Sequence, residues 1–415
     1  MAWRVYVPER ESEMMHDGLG YIEREEKQRG LMRLPFAIRW RFICAFVVVF
    51  GILPAGFARE RGPRVDVVCP SPPALVKVQG KQVLGYELHV TNFDVVPLTL
   101  KRLEVFADGD KHQALKTISG DALSAIMIEA GSLSAAKDSQ TIGPAKRAVI
   151  FLWIELPPNA GPDQRAPATL RHRMVFAAGA PGSPTAETML EDFPVSVSQE
   201  AMPLLSSPFD GGVWLASGIS NDSGHRRSIF AIDGHIHSPE RFAIDWIKVG
   251  ANGDSHHDGT AHNQNWWGYG EPIHAVADGE VTQIVDGIPE NTPRVLPTPV
   301  TLDNIAGNYI VMRIAPNRYV THAHLQGGSI RVRVHDHVRR GDVLARLGNS
   351  GNSTGAHLHL QVTDGDSVLE SEGVPFLLEK FTDVGPGSDY EVDKHPSIPR
   401  ERSLPRDNDV IEFTQ

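Results

Sequence analysis

Between residues 63 and 200 apolar and polar side chains alternate in short runs separated by turn residues. Gly85–Asn92 (GYELHVTN) and Pro97–Phe106 (PLTLKRLEVF) show the period of two expected of strands with one buried face, and the second run stops at the turn Ala107-Asp108-Gly109-Asp110. Ala148–Leu156 (AVIFLWIEL) is apolar almost throughout, the pattern of a more fully buried strand, and Pro157-Pro158 ends it. Arg171–Phe176 (RHRMVF) is a further strand. Short strands between turn clusters predict a mainly β chain whose first folded part, 63–202, is an immunoglobulin-like β-sandwich. No catalytic grouping lies in it, so it reads as a spacer or binding module.

A boundary is expected near Pro203–Asp210, and Gly211-Gly-Val-Trp-Leu-Ala opens a second domain over 210–383. There strands and glycine turns alternate again, interrupted by a proline-bearing loop at about Gly287–Thr301. Residues 384–415 are rich in Pro, Asp, Glu and Ser, a composition that predicts no fixed structure.

Before the first strand the pattern changes. Phe42–Leu53 (FICAFVVVFGIL) is continuously apolar, preceded by Arg33, Arg39 and Arg41 and followed by small residues at Gly56 and Ala58. Basic flank, short apolar core and small exit residues are the parts of a secretory signal, so 1–58 is expected to be an N-terminal extension plus signal peptide. The run is short for a membrane span, which takes about 20 apolar residues; an uncleaved anchor is the alternative. Residues 1–31 are long for a signal's basic region, and Met32 is the expected true start. Export to the periplasm or cell envelope follows, with membrane contact only through this segment.

Composition narrows the chemistry. The net charge of −11 gives no general electrostatic case for nucleic-acid binding. There are two cysteines, and Cys44 lies in the signal segment, so Cys69 stands alone in the mature chain. Neither an internal disulfide nor a cysteine-pair zinc site is available, and any metal must be held by histidines and carboxylates.

Eighteen histidines are many, and they cluster. Asn349–Val362 (NSGNSTGAHLHLQV) is a glycine-bearing turn delivering His357-Leu-His359; on a strand the two imidazoles project from one face. Tyr319-Val-Thr-His322-Ala-His324-Leu repeats the arrangement, so by parity His322 and His324 also share a face. Arg241-Phe-Ala-Ile-Asp245-Trp246 places a carboxylate after apolar residues in a core strand, where it needs a partner: a cation, or Arg241 on the same face by parity. Each tripeptide alone is a weak signal, and a pair of surface histidines is the plain reading of either.

Asp245, the Tyr-Val-Thr-His-Ala-His324-Leu strand and Gly-Ala-His357-Leu-His359 stand in the order used by lysostaphin/LytM-type zinc endopeptidases. Pro272–Val281, Gly307-Asn308-Tyr-Ile-Val and Val338–Gly351 resemble the family's intervening blocks, and the resemblance covers roughly 240–365. It implies an antiparallel β peptidase domain that cuts peptidoglycan cross-links. Asp245 and His359 correspond to zinc ligands, and His324 and His357 to the histidines that assist catalysis. It also implies zinc as cofactor and peptidoglycan peptides as substrate. A catalytically inactive LytM-like scaffold that activates a cell-wall amidase, or a peptidoglycan-binding module, is the alternative.

One position departs from the pattern. The family's first ligand is a His four residues before the Asp, in H-x-G-x-D; here that residue is Arg241, which stays protonated and cannot ligate zinc. Another histidine can fill the gap: His225 in Ser223-Gly-His-Arg, His235, His237, His256, His257 or His262. His225 is preferred because it precedes a run, Ser228–Asp233, suited to a neighbouring strand. Alternatively Arg241 itself neutralises Asp245 and the domain is a scaffold, or the site acts on another bond with unusual geometry.

Overall fold

The structure is a computed structural model that describes residues 62–414 except 109–111, 132–138, 158–165, 180–186, 252, 298 and 389–390. The signal-like segment at Phe42–Leu53 and Met32 lie outside the described residues. Among the described residues no helix is long and apolar enough to cross a membrane.

The first half is a pair of antiparallel sheets. One is built on Lys81–Asn92 and Arg147–Glu155, flanked by Val65–Val68, Ala74–Val78 and Met127–Glu129; the other is built on Leu98–Ala107 and Thr169–Ala178, flanked by Glu187–Ser196, Lys116–Ser119 and Thr141–Ile142. Strand parity assigns the faces. Leu84, Tyr86, Leu88 and Val90 alternate into a core that also holds Leu100, Leu103, Met174 and Phe176 from the facing sheet. The opposite parity of the same strand, Val83, Gly85 and Glu87, is also covered. Val83 joins the core of the second domain, together with Val76 and Val78. A Cβ at Gly85 would lie 3.0 Å from Trp153 and 3.2 Å from Phe242, so glycine there lets the second domain approach closely. This is why the apolar run at Arg147–Glu155 is nearly continuous: Ile150, Leu152 and Ile154 face the sandwich core while Val149 and Phe151 pack outside it.

The second half is organised on one long sheet. Its middle runs in the order Leu377–Pro386, Asp409–Phe413, Gly212–Ser217, Ile244–Lys248, Leu358–Thr363, Arg318–Leu325, Asn308–Ala315 and Gly279–Val285, antiparallel at each of these pairings. The expectation that 384–415 lacks fixed structure is corrected. Asp409–Phe413 is an interior strand, hydrogen-bonded to Leu377–Pro386 on one side and Gly212–Ser217 on the other. Val410, Ile411 and Phe413 are buried. The average composition of the tail is polar, but this five-residue run is not, and interior strands are read from local runs rather than averages. Ile398–Ser403 adds an outer strand, and Leu404 exchanges backbone hydrogen bonds with the sandwich, donating to Lys77 O at 2.8 Å and accepting from Gln79 N at 2.9 Å.

Candidate metal centre

Three neighbouring strands bring the sequence-predicted residues together. Asp245 pairs in register with His359, and His359 with Ala323, so these three side chains share one face of the sheet. Ile244, Leu360 and His322 are the matching row on the other face, in the core. His322 is therefore not beside His324, contrary to the parity expectation. The register of Arg318–Leu325 against Asn308–Ala315 slips between His322 and Leu325, and His324 has a φ of +60°. This is a β-bulge, which reverses parity locally and re-aims one side chain. It carries the His324 ring out to the Asp245 face, 4.7 Å from the His357 ring and 5.8 Å from that of His359. Histidine is among the non-glycine residues that tolerate this backbone region.

His225 is the histidine that joins the group. It sits on a four-residue helix, Gly224–Arg227, capped by Ser223, whose hydroxyl accepts from Arg226 N and donates to Gly218 O at 2.7 Å. Phe230–Ile232 does not extend the site sheet as the sequence suggested; it forms a separate hairpin with His235–His237. The donor atoms of His225, Asp245 and His359 all lie within 4.8 Å of one another. His225 Nε2 is 3.2 Å from one Asp245 oxygen and His359 Nδ1 is 3.0 Å from the other, Oδ1, with His357 Nε2 at 3.5 Å from that same oxygen. The other candidates for the missing ligand stay away. His256 packs at a tilt against Trp266, His257 likewise against Trp267, and His237 pairs at 4.0 Å with Glu372.

Arg241 does not neutralise Asp245, and that expectation too is corrected. It lies before the strand, which begins at Ile244, so strand parity does not govern it. Its guanidinium is turned to the sandwich, donating to both oxygens of Glu87 at 3.0 and 2.9 Å, to Gly373 O at 2.9 Å and to Glu372 at 2.5 Å.

Every histidine of the site has its remote nitrogen against an acceptor. His225 Nδ1 is 3.4 Å from Ala243 O, His357 Nδ1 is 2.9 Å from Gly355 O and His324 Nδ1 is 2.8 Å from Ser350 O. His359 Nε2 is 2.9 Å from Gln361 Oε1; the Gln361 amide is oriented by its own donation to Val368 O at 2.9 Å. An N–H on each remote nitrogen leaves the near nitrogens of His225 and His359 as lone-pair donors aimed at a carboxylate. Lone pairs and a carboxylate repel unless a proton or a cation lies between them, and outer carbonyl partners that fix the tautomer are the usual support of metal-binding imidazoles. Without a cation, protons take that role. Burial disfavours charge on His225, but the Asp245 carboxylate prevails and raises its pKa to about 9. His357 is raised for the same reason against the same burial. Asp245 is held well below the usual carboxylate range by His225 and His357, although burial opposes this. His324 is pushed well down, by burial and then by His357 and His359, so it is a neutral base.

The group opens into a cavity of about 430 Å³. Besides the site residues its walls carry Glu240 and Arg294 and the apolar Leu296, Ile305 and Leu369, and among the described residues none of the sandwich lines it. Arg294 and Leu296 belong to the proline-bearing loop, which is tied to the glycine turn by Asn291 N to Asn349 O at 2.8 Å and Arg294 N to Thr354 O at 2.7 Å. The loop thus forms a wall of the site, a role its composition did not signal. Trp266 packs under the turn, where a Cβ at Gly355 would meet its ring at 2.4 Å; Trp267, half-exposed, does not line the cavity.

Residues 256–370 match the model of peptidase family M23. The matched segment lies within the second domain, and the lysostaphin/LytM resemblance stands as that of a divergent relative. The M23 match begins after Arg241 and Asp245, the stretch where the chain departs from H-x-G-x-D. No curated protein matches the chain. Similar solved structures include the catalytic domain of the prophage-encoded M23 protein EnpA from Enterococcus faecalis, at 20% identity over 32% of this chain and 72% of that one, with a TM-score of 0.21. The catalytic domain of lysostaphin from Staphylococcus simulans matches at 17% identity over 39% of this chain and 88% of that one, TM-score 0.21. A zinc-containing peptidase from Vibrio cholerae matches at 15% identity over 75% and 83%, TM-score 0.22.

Proposed function

We propose that the protein is an exported zinc-dependent endopeptidase of the LytM type that hydrolyses peptide cross-links of peptidoglycan in the periplasm or cell envelope. The observation that carries the reading is the convergence of His225, Asp245 and His359, with the remote nitrogens of both imidazoles held by carbonyl oxygens. His225 supplies from a short helix the imidazole that Arg241 cannot. Two histidines and one carboxylate, open to a cavity, are a donor set suited to catalytic zinc. The ion, when bound, supplies Lewis acidity that activates water and polarises the scissile carbonyl. Asp245 balances the charge. His324, neutral and fixed through Nδ1 by Ser350 O, offers Nε2 to take a proton from the attacking water and return it to the leaving amine. His357, fixed by Gly355 O, faces the same space and stabilises the developing oxyanion. The apolar wall with Arg294 and Glu240 suits a peptide carrying both a carboxylate and an amine. Among the described residues none of the sandwich lines the cavity, which favours a supporting role for it over a plugging one.

Metal content decides the matter. The purified protein is expected to hold one zinc per chain, and His225→Ala, Asp245→Ala and His359→Ala each to lose it together with hydrolysis of purified peptidoglycan. A protein that stays zinc-free in excess metal would sink the reading. It would leave a scaffold that activates a partner cell-wall hydrolase.

A further inference from the structure

The residue that fills the first-ligand position and the helix that supplies the substitute ligand are both attached to one carboxylate of the sandwich. Glu87 lies on Lys81–Asn92, on the face away from the sandwich core, and is 1% exposed. Arg241 Nε donates to both of its oxygens, and Arg226 pairs with Oε1. Arg226 is also 1% exposed, and its Nη2 donates to Tyr86 O at 2.9 Å and Leu152 O at 3.4 Å, carbonyls of two adjacent sandwich strands. The next residue, Arg227, donates to Ala125 O at 2.6 Å, and both arginines lie over the Phe151 ring.

Arg226 and Arg227 follow His225 directly. A helix of four residues has no stability of its own, so its place and rotation are set by what its side chains hold. Here they hold the sandwich. Asp245 stands four residues beyond Arg241, on a segment tied to the same carboxylate. His359 differs: its position comes from the regular sheet register, independent of Glu87.

We propose that Glu87 is a positioning residue for the metal centre: through Arg226 it fixes the short helix so that His225 Nε2 faces Asp245, and through Arg241 it fixes the entry to the Asp245 strand. The inference rests on the metal reading above and assigns the sandwich a role in it: the first domain completes the site of the second. A site lacking the sandwich contact keeps His359, loses the third donor and leaves the entry to the Asp245 strand unfixed.

The test is metal affinity and ligand-field spectroscopy on the full chain, with zinc measured by competition against a chromophoric chelator and Co²⁺ as the spectroscopic probe. Arg226→Met is the primary variant, because it cuts the link to the helix while leaving Glu87 balanced by Arg241 and burying no unpaired charge. It is expected to retain wild-type circular dichroism, bind zinc about 10- to 100-fold more weakly, as loss of outer-shell support does, and shift the Co²⁺ d–d bands toward those of His225→Ala. Combined with His225→Ala it should add no further loss, since both changes remove the same donor. Glu87→Gln, measured below its unfolding temperature, should show the same loss. Wild-type affinity and spectrum in a folded Arg226→Met protein, or full additivity with His225→Ala, would overturn the proposal while leaving the zinc site standing. Unchanged zinc binding in His225→Ala alone would overturn the metal reading, and this proposal with it.

Discussion

Gly218 has a φ of +95°, and a Cβ built there would lie 2.1 Å from His225 Nδ1. The His225 ring occupies the space that a side chain there would fill. Gly218→Ala is therefore expected to displace His225, and zinc titration should show an affinity loss comparable to that of His225→Ala. The backbone strain adds a destabilisation of about 1 kcal/mol. Retention of full affinity would show that the helix can move without cost. Asp245, His324, His357 and His359 were legible from their motifs. His225 was legible as the preferred one of several histidines but not fixed, because no spacing along the chain expresses a contact made through a helix held from another domain.

At the scale of the strand, the bulge at His324 makes an asymmetric prediction. Alternation alone treats His322 and His324 alike. The slipped register sends the first into the core and the second to the site. His322→Leu is expected to leave zinc content and peptidoglycan hydrolysis intact, with only a change in melting temperature. His324→Asn, which tolerates the same positive φ, should keep the fold and the metal but lower turnover by about 10²- to 10⁴-fold, the contribution typical of a general base. Equal losses in both variants would contradict the bulge. The sequence Tyr319–Leu325 contains no glycine or proline to announce the irregularity; it arises where the strand meets its partners, and Asn308 and Ser350 hold the chain on either side through Leu325 O and His324 Nδ1.

Across the whole molecule the two halves share apolar core, and the chain's end closes the arrangement. Truncation before Ile398 would remove Val410, Ile411 and Phe413, whose burial is worth roughly 5–9 kcal/mol at about 1.5–3 each. It would also bare the edges of two long strands. Set against a total stability of about 5–15 kcal/mol, this predicts a protein that is insoluble or unfolded, checked by expression and circular dichroism. Acid is a second global probe. His89, His172 and His322 are each lowered to about 4, chiefly by burial. They stay neutral in the fold, while the unfolded chain takes up protons below about 6.5. The contribution of these three is thus full above that pH and falls as pH drops toward 4, by up to about 3 kcal/mol for each histidine. Thermal melts of the chelator-treated protein between pH 6.5 and 4.5, where the raised His225 is charged in the folded and the unfolded chain, should show the decline; a flat profile would mean that the three buried histidines gain protons in place.

The sequence by itself determined the strand-rich class, the early strands and the Asp245, His324 and His359 motifs, because those features are written in local alternation and in short fixed spacings. It misjudged the tail, where a five-residue apolar run was hidden by polar surroundings. It left open which histidine stands beside Asp245 and His359, the use of Arg241 and the face of His322. Those were decided by tertiary structure. A bulge reverses parity, a buried carboxylate of one domain captures two arginines of the other, and a four-residue helix takes its position from what its side chains hold rather than from its own sequence.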